Sequence, residues 1–226
     1  MNSYELNEGL ARKVLETVDA GLVSGLGEPK PGSMCVEAAV CFAYGLPHSD
    51  QPPCVGSAVR RFKIRINDAK WSSNEARTNG LRKLAIAQLG SDSIDQEKFV
   101  RIVVEQTIRQ IVPRALRIAK KRNPKYEQQL ETAAVQCEKD GNREAALNAK
   151  KTADAAYAYA DAAAAAYAAA YADAAADAAA YAAAYAYAAA DAAARDEILN
   201  LACEIGLKAL IELGSPGCAY LFLTET

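Results

Sequence analysis

The residue pattern predicts an all-α protein: an N-terminal bundle of short helices followed by long, alanine-rich amphipathic helices. Three observations carry this. Residues 153–194 consist of 30 Ala, 7 Tyr and 5 Asp, with no Gly, Pro or β-branched residue. Alanine loses no side-chain entropy in a helix, and a run this long outweighs the nucleation cost that defeats short peptides. Elsewhere apolar residues recur at helical spacing between Gly, Pro, Ser and Asp punctuation. Only Phe62-Lys63-Ile64-Arg65-Ile66 alternates like a strand, and a lone strand has nothing to pair with.

The first helix is expected over residues 4–19, with Leu6, Leu10, Val14 and Val18 on one face. A Gly/Pro-rich loop follows over 21–32. Ser33 is expected to cap a helix that runs to residue 44, where Gly45 and Pro47 end it. Residues 47–53 form a second loop, and 55–68 a helix bearing Val59, Phe62 and Ile66. Ser72-Ser73-Asn74-Glu75 reads as a capping box for a helix stopping at Gly90. Trp71, just before it, is expected to act as a hydrophobic staple. Ser93-Ile94-Asp95-Gln96 opens the next helix, which Pro113 should kink or end, with a basic continuation to residue 122. Pro124 starts another, and Asp140-Gly141-Asn142 breaks it. From residue 143 the helical pattern runs through the alanine tract to about residue 213, a rod of about 105 Å if continuous. Gly214-Ser215-Pro216-Gly217 terminates it, and the apolar tail 218–223 should dock. The domains expected are 1–123, an N-terminal helical domain, and 124–226, the long-helix region with its tail.

Within the tract the angular positions are informative. At about 100° per residue from Tyr157, the residues Tyr167, Tyr171, Tyr181 and Tyr185 gather on one side and all five aspartates on the other; Tyr187 is misplaced. Tyr157, Tyr171 and Tyr185 are 14 residues apart, as are Tyr167 and Tyr181. That is two heptads, the spacing of a coiled-coil seam. Tyr157, Tyr167, Tyr171, Tyr181 and Tyr185 are therefore the expected packing seam, against another helix or a second copy of the chain.

Composition narrows the function classes. No run of 18 strongly apolar residues occurs, so no membrane partner is expected. The N-terminus lacks a basic region followed by an apolar core, so a cytoplasmic location is expected. Six cysteines without a CxxC pair, and a single histidine, His48, point to reduced thiols and no metal site. The net charge is −2 but segregated: residues 58–125 hold 17 Lys/Arg against 6 Asp/Glu, and the rest 9 against 22. Such a segment either contacts phosphates or docks on the acidic flanks, within the fold or across a dimer. The nucleic-acid candidates are Arg60, Arg61, Lys63, Arg65, Arg114, Arg117, Lys120, Lys121 and Arg122, and no aromatic interleaving for base stacking accompanies them.

The densest group of reactive types is Cys35, Glu37, Cys41, His48, Asp50 and Cys54. A thiol in the first turn of a helix is activated by the helix N-terminus, which makes Cys35 a candidate nucleophile, His48 its base and Asp50 the orienting carboxylate. Against this, only 13 residues separate Cys35 from His48 and a helix lies between them. Cys35, His48, Asp50 and Cys54 are metal-ligand types, but at a spacing that matches no metal motif. No phosphate loop, GxGxxG, GxSxG or HExxH occurs, and no cofactor is expected.

The segments Met34-Cys35-Val36-Glu37-Ala38-Ala39-Val40, Gly45-Leu46-Pro47-His48, Trp71-Ser72-Ser73 with Ala76-Arg77, and Gly80-Leu81-Arg82-Lys83-Leu84-Ala85-Ile86-Ala87-Gln88-Leu89-Gly90-Ser91 resemble a group of alanine-rich hypothetical bacterial proteins. The resemblance covers most of the chain and implies no activity. The leading expectation is a non-enzymatic interaction or scaffold protein that self-associates or binds another protein. Nucleic-acid binding through 58–125 is the first alternative, and a cysteine hydrolase using Cys35 the second.

Overall fold

The structure is a computed structural model that describes residues 5–122, 124–155 and 192–225. Their regular elements are all helices, and their only β pairings are two isolated bridges to Met34, from Leu22 and Gly27. The all-α class is thus present, and 62–66 lie inside a helix. Among the described residues no helix is long and apolar enough to cross a membrane. The tyrosine seam 157–185 falls outside the described residues, as does the continuity expected between residues 143 and 213.

The chain divides into two compact units, residues 1–99 with 206–226, and residues 100–205. The C-terminal segment thus groups with the N-terminal helices.

In the first unit, α1 (Glu8–Asp19), α2 (Val36–Ala43), α3 (Ser57–Asp68) and α4 (Asn74–Ala87) surround an apolar core. Asn7 caps α1 by accepting from the Leu10 N–H at 3.0 Å. Its periodic face buries Ala11, Val14, Leu15 and Val18. The capping residue of α4 is Ser73, which accepts from the Ala76 N–H at 3.0 Å. Glu75 is then one position too early to complete a capping box with it. Trp71 is buried, and its indole N–H donates to the Ile66 carbonyl at 2.9 Å, satisfying an end group of α3.

The tail docks as expected. A 3₁₀ segment, Pro216–Glu225, lies against α4 and α1. Ser215 donates to the Ala87 carbonyl at 2.6 Å, and the Gly217 N–H to the Leu89 carbonyl at 2.7 Å. A Cβ at residue 217 would sit 2.1 Å from the Ile86 carbonyl oxygen, so this approach requires glycine. Arg82 on α4 holds both neighbours, with bonds to Asp19 at 2.7 and 3.0 Å and to the Thr224 carbonyl at 2.6 Å.

The second unit contains most of α5 (Gln96–Arg122), then α6 (Glu127–Asp140), α7 (Arg143–Ala155) and most of α8 (Ala192–Glu212). Pro113 neither ends nor interrupts α5. The missing N–H costs one backbone bond, while the buried stripe Ile108, Ile111, Val112, Ala115, Leu116 and Ala119 holds the helix on both sides. Gly141, at φ +58°, ends α6, and Asn142 starts α7 by accepting from the Ala145 N–H at 2.9 Å. Small residues, Ala133, Ala134 and Cys137 against Ala145, Ala146 and Ala149, let α6 and α7 pack closely.

Candidate functional site

The chemically richest part of the first unit lies where α2 begins, and it is built by the loop ahead of it. Residues 20–34 fold back on themselves as a compact loop, pinned by backbone bonds from Val23 N–H to Met34 O (3.0 Å), Glu28 N–H to Ser33 O (2.7 Å) and Cys35 N–H to Leu26 O (3.2 Å). Gly27, at φ +72°, makes this possible: a Cβ there would lie 2.0 Å from the Ser33 oxygen. These bonds use the backbone of Ser33 inside the loop, so the cap of α2 falls to Cys35, two residues later than expected.

Cys35 is 4% exposed, and its Sγ accepts from the Ala38 N–H at 3.4 Å. Burial pushes the thiol above its ordinary range; the Ala38 amide offsets part of this, and the Glu37 carboxyl adds to it. His48 is tied to the loop ahead of α2. Its Nε2 donates to the Gly27 carbonyl at 3.1 Å, closing the loop. Asp50 and Cys35 both line a cavity of about 20 Å³, with Glu37, Asn67 and Asp68. That volume holds about one water molecule. The structure thus gathers Cys35 and Asp50 at one cavity and bonds His48 to Gly27. Among the described residues no group of His, Cys, Asp and Glu is placed to hold a metal ion. None of the six cysteines forms a disulfide.

At the centre is a contact that no motif announces. Glu37 on α2 and Lys63 on α3 both have 0% exposed side chains and approach to 3.4 Å, with no hydrogen bond to either carboxylate oxygen or to Nζ. Burial raises the Glu37 carboxyl above the usual carboxylate range, and Lys63 and Arg60 pull it back. Burial lowers the Lys63 ammonium, and Glu37 opposes this. Lys63 therefore cannot contact nucleic acid, because it points into the core. The sequence signal was available: Lys63 follows Phe62 and precedes Ile66 and Asn67, all on the buried side of α3.

Asn67, 1% exposed, ties these parts together. It accepts from the Val36 N–H at 3.3 Å and donates to the Val23 carbonyl at 3.0 Å and to Asp68 at 2.9 Å. Asp68 in turn accepts from the Gly25 N–H at 2.7 Å. Arg77, buried and with its pKa lowered mainly by that burial, donates to the Asn67 carbonyl at 2.8 Å.

The remaining basic candidates divide. On α3, Arg61 and Arg65 are exposed and Arg60 is half-buried. In the second unit, Arg114 and Lys121 are exposed, while the Arg122 side chain lies outside the described residues. Arg117 pairs with Glu131 at 2.8 Å and with Glu138, and Lys120 pairs with Glu131 at 3.0 Å and Glu127 at 3.6 Å. The Glu138 and Glu131 bonds hold the Arg117 guanidinium above its usual pKa. Arg109 spends its donors on the Glu138, Lys139 and Asp140 carbonyls at 2.6–3.2 Å, capping α6.

No family model, no curated protein and no solved structure matches the chain.

Proposed function

We propose that this protein is a non-enzymatic, all-α interaction protein that associates through the tyrosine face of its alanine tract, with a second copy of the chain as the partner. The observation that carries this reading is the two-heptad spacing of Tyr157, Tyr171 and Tyr185 and of Tyr167 and Tyr181, opposite the aspartates. Large aromatic side chains separated by alanine bury much area per residue and allow close backbone approach.

Two features of the first and second units support it by weakening its competitors. The Cys35 thiol is buried and shifted away from the thiolate, opposite to what nucleophilic activation needs. Lys63, Arg117 and Lys120 meet internal carboxylates rather than standing ready for phosphates.

The test is the double substitution Tyr171→Asp with Tyr181→Asp, measured on the full chain by light scattering and circular dichroism. Mass should fall toward that of one chain and helicity should drop. Unchanged mass and helicity refute the reading. Gel-shift titration at two salt concentrations provides the control. Binding that weakens steeply as salt rises would favour phosphate contact through Arg61, Arg114 and Lys121 instead.

A further inference from the structure

The geometry points to the Glu37–Lys63 pair as a register pin that fixes which turn of α2 faces α3. Glu37 and Lys63 are fully enclosed at 3.4 Å, with no hydrogen bond to the carboxylate oxygens or Nζ. Such a pair is not an efficient source of stability, since apolar residues of similar volume avoid the desolvation of two charges. Its demand for one oppositely charged partner is what apolar residues lack.

That demand matters because the rest of α2 specifies little. The helix is only 8 residues long, and every residue except Phe42 is buried. Those buried residues include Ala38, Ala39, Cys41 and Ala43, which are small and nearly interchangeable against a neighbour. Interlocking shape, the usual source of a unique packing, is weak here. Asn67 does grip the start of α2, but through the Val36 backbone N–H, which any residue at that place would offer. The pair is different: it reads side-chain identity, because a slide or rotation of α2 would leave two charges buried and apart.

The experiment compares the wild-type full chain with two apolar replacements of different shape, Glu37→Met with Lys63→Met and Glu37→Leu with Lys63→Met. Each is measured by urea unfolding and by amide hydrogen exchange resolved at residues 39–43. Both replacements should unfold at a urea midpoint no lower than wild type. Yet protection at Ala39, Val40 and Cys41 should fall at least tenfold, and Cys35 should be labelled by a thiol reagent at least tenfold faster. Wild-type protection in either replacement means that shape sets the register, and overturns the proposal. A replacement that fails to fold also overturns it, since the pair would then supply stability rather than specificity.

Discussion

Asn67→Ala tests how the loop 20–34 is held over α2. The side-chain amide makes three hydrogen bonds, to the Val36 N–H, the Val23 carbonyl and Asp68. Removing it strips the Val36 N–H of its partner, and Val36 is completely buried. A buried donor left unsatisfied costs about 1–3 kcal/mol. The Val23 carbonyl, half-buried, and the Asp68 contact each lose an ordinary bond worth about 0.5–1.5 kcal/mol. The expected loss is about 3 kcal/mol in urea unfolding of the full chain. Proteolysis should cut first within residues 20–34.

The companion substitution Asn67→Asp sharpens the argument. It keeps an acceptor for Val36 but removes both donors, and it sets a second carboxylate against Asp68 and the Val23 oxygen. At neutral pH it should cost more than Asn67→Ala. The introduced carboxyl gains a donor only when protonated, so its folded pKa lies above its unfolded one. Stability relative to wild type is then recovered as pH falls and lost as pH rises through the folded value. An Asn67→Ala variant within about 0.5 kcal/mol of wild type, below the cost of one orphaned amide, would refute the claim that this side chain holds the loop.

Other expected outcomes follow from the same contacts. Lys63→Met alone should cost about 3–5 kcal/mol by leaving a buried carboxylate unpaired. Glu37 titrates higher in the folded chain, so this variant should be more stable at pH 5 than at pH 8; the opposite slope in urea midpoints would refute the assignment. Labelling of the folded protein against pH should place the Cys35 midpoint above the ordinary value of about 8.5 for a thiol; a midpoint below pH 7 would restore the nucleophile. Arg117→Ala should cost about 1 kcal/mol or less, because Arg117 and Glu131 are 37% and 34% exposed. The difference from wild type should shrink in 1 M salt, and a gap that persists there would mean packing rather than charge. Gly27→Ala should cost more than about 2 kcal/mol, since it adds a Cβ clash to a left-handed backbone worth about 1–2 kcal/mol; near-wild-type urea stability would contradict the loop geometry.

What could be read from the residues is what local chemistry decides. The helices appear where apolar spacing, caps and Gly stops coincide, as at Gly141, which ends α6. Where tertiary bonds compete with local rules, the reading slips. Ser33 is the better capping residue by type, yet loop bonds through its own N–H and carbonyl leave the task to Cys35. Pro113 ought to interrupt α5, yet the buried stripe on either side outweighs one lost bond. The site follows the same rule. Cys35, Glu37 and Asp50 stand close in sequence and do share a cavity. Ile64, Asn67 and Asp68 reach it from α3, a placement that only the packing of α2 on α3 creates.

The basic segment shows why counting charges misleads about surfaces. Of the 17 cations between residues 58 and 125, Lys63 is sealed in the core, Arg77 is buried against backbone carbonyls, and Arg82 is held by Asp19 and Thr224. Arg109 caps α6, and Arg117 and Lys120 meet Glu127, Glu131 and Glu138. A phosphate backbone would have to compete with carboxylates already in place, at a cost that rises with each pair broken. These cations instead join elements within a unit: α2 to α3 by an ion pair, and α4 to α1 and the tail, and α5 to α6, by hydrogen bonds as well. Their loss should therefore appear first as stability and only secondarily as affinity.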